Sequence, residues 1–304
     1  MKSPTYLITA SLLFTLGLAT PTTTLSKTPT RSNDGQQYQL RLLHTSTPSS
    51  PSSFRTTSSR IGIASQQQES TKGGALLTSD DATSSFKQIQ TTFLIPQAKI
   101  PTRGPTANQT TILYASSFHI GIDSFSLLCP SGFLRAGVDI FYDGTLGDPS
   151  LQKPQAWYQL YPSDPSVFPN FTVAEGETVR VTVGNTEVKI ENFGLNVTCV
   201  NGKIPKQVST VKIDGKGVCG KEAGWIVEDF PLAGLPGIPV ALADFGSVRF
   251  GGVSVKSGGE EGGIEKNAEG ATVSDIWVEA QGGRLTSCEV GMEGGEVRCD
   301  RVFE

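Results

Sequence analysis

Gly224-Trp225-Ile226-Val227-Glu228-Asp229-Phe230 is the stretch whose reading decides the fold. No helix period runs through it. A period of two sends Ile226, Glu228 and Phe230 to one face and Trp225, Val227 and Asp229 to the other, as in a strand. Each face then carries apolar bulk and one carboxylate, and taken alone such a carboxylate reads as a charge at a strand edge or sheet rim. The same texture of β-branched and aromatic runs divided by turn residues recurs outward in both directions. It gives candidate strands at Ile89–Ile95, Thr111–Ile122, Phe133–Tyr142, Ala156–Tyr161, Thr178–Val183, Glu187–Glu191, Gly194–Cys199, Ala243–Phe250, Ala271–Glu279 and on both sides of Gly294-Gly295. About a dozen short strands of this kind predict an all-β fold, two antiparallel sheets stacked over one core. Lys256–Gly270, with its Gly-Gly pairs and Glu260-Glu261, reads as a solvated loop.

Composition agrees. With 34 Gly and 18 Pro in 304 residues the chain has too many breakers for a helical bundle, and no Gly-X-Y period suggests collagen. Its 25 Lys and Arg against 29 Asp and Glu leave a formal charge of −4, which argues against a nucleic-acid partner. None of the five Cys forms a C-x-x-C pair, so disulfides with one thiol left over fit better than a zinc site.

The N-terminal third differs. Residues 1–19 read as a secretory signal, with Lys2, an apolar run Leu7–Leu18 and a small-residue cleavage site at Gly17-x-Ala19. That run is too short to cross about 30 Å of hydrocarbon, and no later run is longer, so no membrane span is expected. Residues 20–85 are rich in Ser, Thr, Pro and Gln and read as a disordered pro-segment or linker, because little apolar surface is present to offset the entropy of ordering. The folded domain is then placed at 86–304. Sequons at Asn108, Asn170 and Asn196 suit an oxidising, glycosylating route out of the cell.

Much chemistry is excluded. The folded part holds one histidine, His119, and no G-x-S-x-G elbow, which removes serine and cysteine triads. H-E-x-x-H is absent, and the Gly-rich pieces do not open helices, so neither a zinc hydrolase nor a phosphate cradle is indicated. A glycosidase needs two carboxylates about 5–10 Å apart, and Asp139 with Glu228 is the pair to check.

What lifts these segments above the bland reading is their joint occurrence. Ile89-Gln-Thr-Thr-Phe-Leu-Ile-Pro96, His119-Ile-Gly-Ile-Asp123, Leu134-Arg-Ala-Gly-Val-Asp139, Ala156-Trp-Tyr-Gln-Leu-Tyr-Pro162, Trp225-Ile-Val-Glu-Asp-Phe230 and Ala243-Asp-Phe-Gly-Ser-Val-Arg-Phe250 occur in this order. Together they resemble the fungal glutamic peptidases, or eqolisins, acid endopeptidases built on a β-sandwich of two seven-stranded sheets. The resemblance runs from about Thr71 to the C-terminus. It implies a concanavalin A-like, jelly-roll sandwich, a bridge between Cys129 and Cys219, hydrolysis of peptide bonds in unfolded protein, and a monomer needing no metal or organic cofactor.

In that family a Glu activates the attacking water and a Gln holds the water and stabilises the oxyanion. Glu228 stands at the Glu position, and Arg135 stands at the Gln position. His119 replaces a Trp, Gln159 replaces a Glu, and Thr71-Lys72-Gly73-Gly74 stands for Asn-Trp-Ala-Gly. Asp123, Asp139, Trp157, Gln159 and His119 are the expected substrate-binding positions. A guanidinium only donates and never loses its charge. Beside Glu228 it should form an ion pair, depress the carboxyl pKa and weaken the base. Reduced or lost turnover follows as an expectation, and a catalytically inactive sandwich that binds peptide or glycan is the alternative. Cys288 and Cys299 flank a turn and could pair across a hairpin, which would leave Cys199 free.

Overall fold

The computed structural model describes residues 70–79, 85–102, 113–125, 129, 131–143, 153–230, 240–258 and 264–303. The leader at 1–19, most of the segment 20–85 and the sequon Asn108 lie outside them. In chain order the strands are β1 Lys72–Thr78, β2 Phe86–Leu94, β3 Leu113–Ile122, β4 Leu134–Asp143, β5 Gln155–Leu160, β6 Ser166–Val167, β7 Glu177–Gly184, β8 Glu187–Leu195 and β9 Gln207–Lys212. They continue as β10 Glu222–Glu228, β11 Ala241–Leu242, β12 Ser247–Ser257, β13 Ile264–Lys266, β14 Thr272–Ser274, β15 Trp277–Val278, β16 Gly283–Arg284, β17 Thr286–Val290 and β18 Glu296–Arg301. Among the described residues no helix is long and apolar enough to cross a membrane.

Two sheets carry the fold. One runs β14-β1-β10-β3-β4-β5-β6 and the other β17-β18-β12-β2-β7-β8-β9, seven strands along each path, with β11 added to β3 and β13 to β12. Neighbours along both paths are antiparallel, while β11 joins β3 in parallel. The two sheets face each other through Phe118, Ile120, Leu134, Val138 and Trp225 on one side and Ile89, Phe93, Val181, Ile190 and Phe250 on the other, all buried. Phe93 closes the gap, with ring centroids 6.4 Å from Phe118 in the opposite sheet and 5.5 Å from Phe250. Full burial of side chains this size contributes about 1.5–3 kcal/mol each, so this layer, rather than the polar faces, holds the sandwich together. Trp225 also spans it, its indole N–H donating to the Gln90 carbonyl at 3.4 Å.

Several elements differ from the sequence reading. The folded part begins before Phe86: β1 pairs along its whole length with β10, from Lys72 opposite Glu228 to Thr78 opposite Glu222. Gly194–Cys199 is not a strand, because β8 runs on to Leu195 and left-handed residues at Gly194 and Asn196 then turn the chain. Its partner is β9, which the sequence did not single out. Of the segment Ala243–Phe250 only Ser247–Phe250 is strand, the start of β12; β11, just before the segment, belongs to the other sheet, and between them Asp244 accepts from the Gly246 N–H at 3.0 Å. Within the predicted loop Lys256–Gly270, Ile264–Lys266 pairs with the end of β12. Both disulfides form, Cys129 with Cys219 and Cys288 with Cys299, and Cys199 is free and exposed.

Candidate active site

Alternation along the β1-β10-β3-β4-β5 sheet sends one set of side chains into the core and the other onto the opposite face. Registry aligns the second set: Lys72 lies opposite Glu228, Glu228 opposite Ser117, and Ser117 opposite Asp139. A second row sets His119 against Gly137 and Trp157, and a third sets Arg135 against Gln159. The glycine in the middle row is required. A Cβ on Gly137 would lie 2.1 Å from the Phe118 carbonyl and 2.5 Å from the His119 Cβ, so any other residue would displace His119, whose ring lies 5.6 Å from that of Trp157.

The centre of this face is a buried charged cluster. Glu228 Oε2 accepts from Arg135 Nη1 at 2.8 Å and faces His119 Nε2 at 3.0 Å. Arg135 Nε donates to Gln159 Oε1 at 2.8 Å, and Gln159 Nε2 donates to the Ser163 carbonyl at 3.0 Å. The guanidinium lies 5.2 Å from the centroid of the Phe133 ring and 5.2 Å from that of Trp157. Lys72 reaches over β10 to donate to the Ser124 carbonyl at 2.9 Å. Glu228, Arg135 and His119 are all buried, with side-chain exposures of 10, 3 and 0 %.

Burial alone would push the Glu228 carboxyl upward. The Arg135 guanidinium, then the Lys72 ammonium and the His119 hydrogen bond, outweigh that and hold it well below the usual carboxylate range. Burial lowers His119 to about 4 against the opposing pull of Glu228. A neutral imidazole that donates through Nε2 leaves Nδ1 as the acceptor, and that atom is buried without a partner, as is Ser117 Oγ. Burial and the nearby Arg135 charge lower the Lys72 ammonium, opposed by Glu228.

Comparisons with known proteins bear on this chain's family and fold. The sequence profile of the peptidase A4 family matches residues 70–301. The chain belongs to the peptidase A4 family. It is 28% identical to Aspergillopepsin-2 of Aspergillus niger over 93% of this chain and 95% of that protein. It is 27% identical to Scytalidopepsin B of Scytalidium lignicola over 77% of this chain and 78% of that one. The fold matches the crystal structure of scytalido-glutamic peptidase with a peptide-based transition state analog, with a TM-score of 0.56 at 24% identity over 77% of this chain and 99% of that chain.

Against this peptidase A4 framework the sequence-derived site residues separate into two groups. Glu228, Arg135, His119, Gln159 and Trp157 come together as described, and Asp139 joins them by accepting from the Trp157 indole N–H at 2.7 Å. Asp123 does not. Its carboxylate accepts from the backbone N–H groups of Gly220, Lys221 and Glu222 at 2.7, 2.6 and 3.1 Å, so its oxygens hold the entry to β10 and stand apart from the cluster around Glu228. Asp123, Cys129 and Cys219 also cluster closely enough to resemble a metal site. The sulfurs are joined and the carboxylate oxygens are taken, so these residues do not fit a cation. Tyr158 alternates inward and packs on Phe168 at 5.1 Å. Asn170 and Asn196 are exposed at left-handed turn positions. Lys72 is the site residue that pattern reading missed, although its place in the Thr71–Gly74 element was a signal.

Proposed function

We propose that this protein is a secreted, glutamic-type acid endopeptidase in which Glu228 activates the attacking water and Arg135 takes the place of glutamine, at the cost of turnover. The carrying observation is the division of labour on Glu228. Its Oε2 is fixed by Arg135 and His119, while among the described residues no hydrogen bond reaches Oε1. In the reaction Oε1 takes a proton as water oxygen bonds to the scissile carbonyl carbon. Negative charge gathers on the carbonyl oxygen, where an Arg135 N–H donates. Glu228 then returns the proton to the amide nitrogen as the C–N bond breaks. The substrate is an extended peptide or unfolded protein laid across the polar face, with Trp157, Gln159 and Asp139 beside the scissile bond. The depressed Glu228 pKa keeps the base ionised in acid but makes it weak, and the guanidinium opposes the protonated state that the second step needs. No metal or organic cofactor enters, and the protein acts as a monomer.

Export is assigned to the signal at 1–19, with a pro-segment or linker between it and the sandwich and with glycans at Asn108, Asn170 and Asn196. The second reading, a peptide-binding module without turnover, is favoured by the same Arg135–Glu228 pair. The two separate on Glu228→Gln, which removes the base but keeps the shape. The proposal expects kcat to fall by about 10²–10⁴ with KM little changed. Cleavage that persists in Glu228→Gln would refute the assignment of the base.

A further inference from the structure

Two cations share this face with Glu228 and Asp139. Lys72 and Arg135 lie within electrostatic reach of one another and of Glu228. Glu228 spends its Oε2 on Arg135 and His119. Lys72 donates one hydrogen bond, to an uncharged carbonyl, and makes no ion pair with a described residue. Its side chain lies near the Phe125 ring, 5.9 Å from the centroid, and the residue is half-buried, so the ammonium gives up hydration with attraction from Glu228 and Glu222 but no ion pair in return. Arg135 uses Nε and Nη1 and offers Nη2, for which no hydrogen bond to a described residue occurs. Asp139 accepts from Trp157 and Asp123 from three backbone N–H groups, while Glu222, six residues along β10 from Glu228, attracts Lys72 from a distance. The face therefore holds spare donors on two positive groups.

We infer that Lys72 and Arg135 form a carboxylate-recognising subsite beside Glu228, which directs the protein to peptides with Asp or Glu next to the bond presented to that residue. This rests on the proposed reading of the same face as a peptide site, but it concerns binding and does not require turnover. A side-chain carboxylate supplies a negative charge and two acceptor oxygens for the spare donors of Lys72 Nζ and Arg135 Nη2. Gln has the same shape and one acceptor oxygen but no charge, so the pair isolates the electrostatic part. Selectivity should fade as pH drops below about 4, where free Asp and Glu side chains protonate.

The test is equilibrium binding of two labelled hexapeptides, Ala-Ala-Phe-Glu-Ala-Ala and its Gln counterpart, to the full chain at pH 5.5. The Glu peptide should bind about tenfold more tightly, the size of one charge-assisted contact. In Lys72→Met the ratio should fall to about one to two, and in Lys72→Arg it should persist, which separates loss of charge from loss of fold. In Glu228→Gln, which removes the base, the ratio should be kept or rise because a like charge has gone. Equal binding of both peptides by the unaltered protein, or a ratio unchanged in folded Lys72→Met, overturns the inference. Absence of cleavage with the ratio intact would sink the peptidase reading alone.

Discussion

Replacing Arg135 by Gln tests the electrostatic argument most sharply. The guanidinium sits 2.8 Å from Glu228 Oε2 in a site with side-chain exposures of 3 and 10 %. For unit charges about 4 Å apart at an effective dielectric of about 20, the gross attraction is on the order of 4 kcal/mol. Desolvation of both groups offsets part of it, yet Glu228 still lies well below its ordinary range, so attraction wins. Gln at position 135 removes that attraction and supplies an amide that can both accept from water and donate to the oxyanion. The Glu228 pKa should rise, moving the acid limb of the kcat/KM profile to higher pH. Restoring a well-placed oxyanion donor should also raise kcat by about 10²–10³. The assay is hydrolysis of an acid-unfolded protein from pH 2 to 6 with each variant verified as folded. An acid limb that stays in place, or a rate that does not increase, would refute the reasoning.

Three further outcomes concern stability. Asp123→Ala should strip the acceptor from two buried N–H groups and one part-buried and cost about 3 kcal/mol in urea denaturation, with activity per folded molecule retained. Removing the Cys129–Cys219 bridge, which closes a separation of 90 residues, should cost about 4 kcal/mol by the same measurement under non-reducing conditions. Asp229 is buried with Oδ1 unpartnered, and burial pushes its carboxyl well above the usual 3.8 despite the Gln281 hydrogen bond. A raised carboxyl pKa in the folded state stabilises at low pH, and that contribution is lost as pH climbs from the unfolded value through the folded one. Asp229→Asn should flatten this decline in thermal melts recorded from pH 3 upward, and an unchanged slope would show that other groups cause it.

The sandwich was legible in the sequence where alternation was strict. Trp225 and Val227 point into the core and Ile226 and Glu228 away from it, as a period of two requires. It was hidden where pairing, not propensity, makes the strand. Lys72-Gly-Gly-Ala-Leu-Leu-Thr78 has two glycines in its first half and follows a low-complexity tract, and it becomes a strand because β10 and β14 offer it hydrogen-bonding edges. Gln207–Lys212 was missed because it is an edge strand with one buried residue, Ser209. The site was half legible. Motif order located Glu228, Arg135, His119 and Gln159, but their contact depends on registry across four strands, which no local pattern encodes. Asp123 shows the converse: its motif marks it, and its left-handed backbone turns the carboxylate onto Gly220–Glu222.

The central claim is that Glu228 cuts peptide bonds from this face. The most direct measurement incubates the purified protein with an acid-unfolded substrate between pH 2 and 6 and maps every new terminus by mass spectrometry beside Glu228→Gln. The account predicts slow but defined cleavage in acid that disappears in the variant. Termini that appear equally with both proteins, or with neither while both are folded, would contradict it.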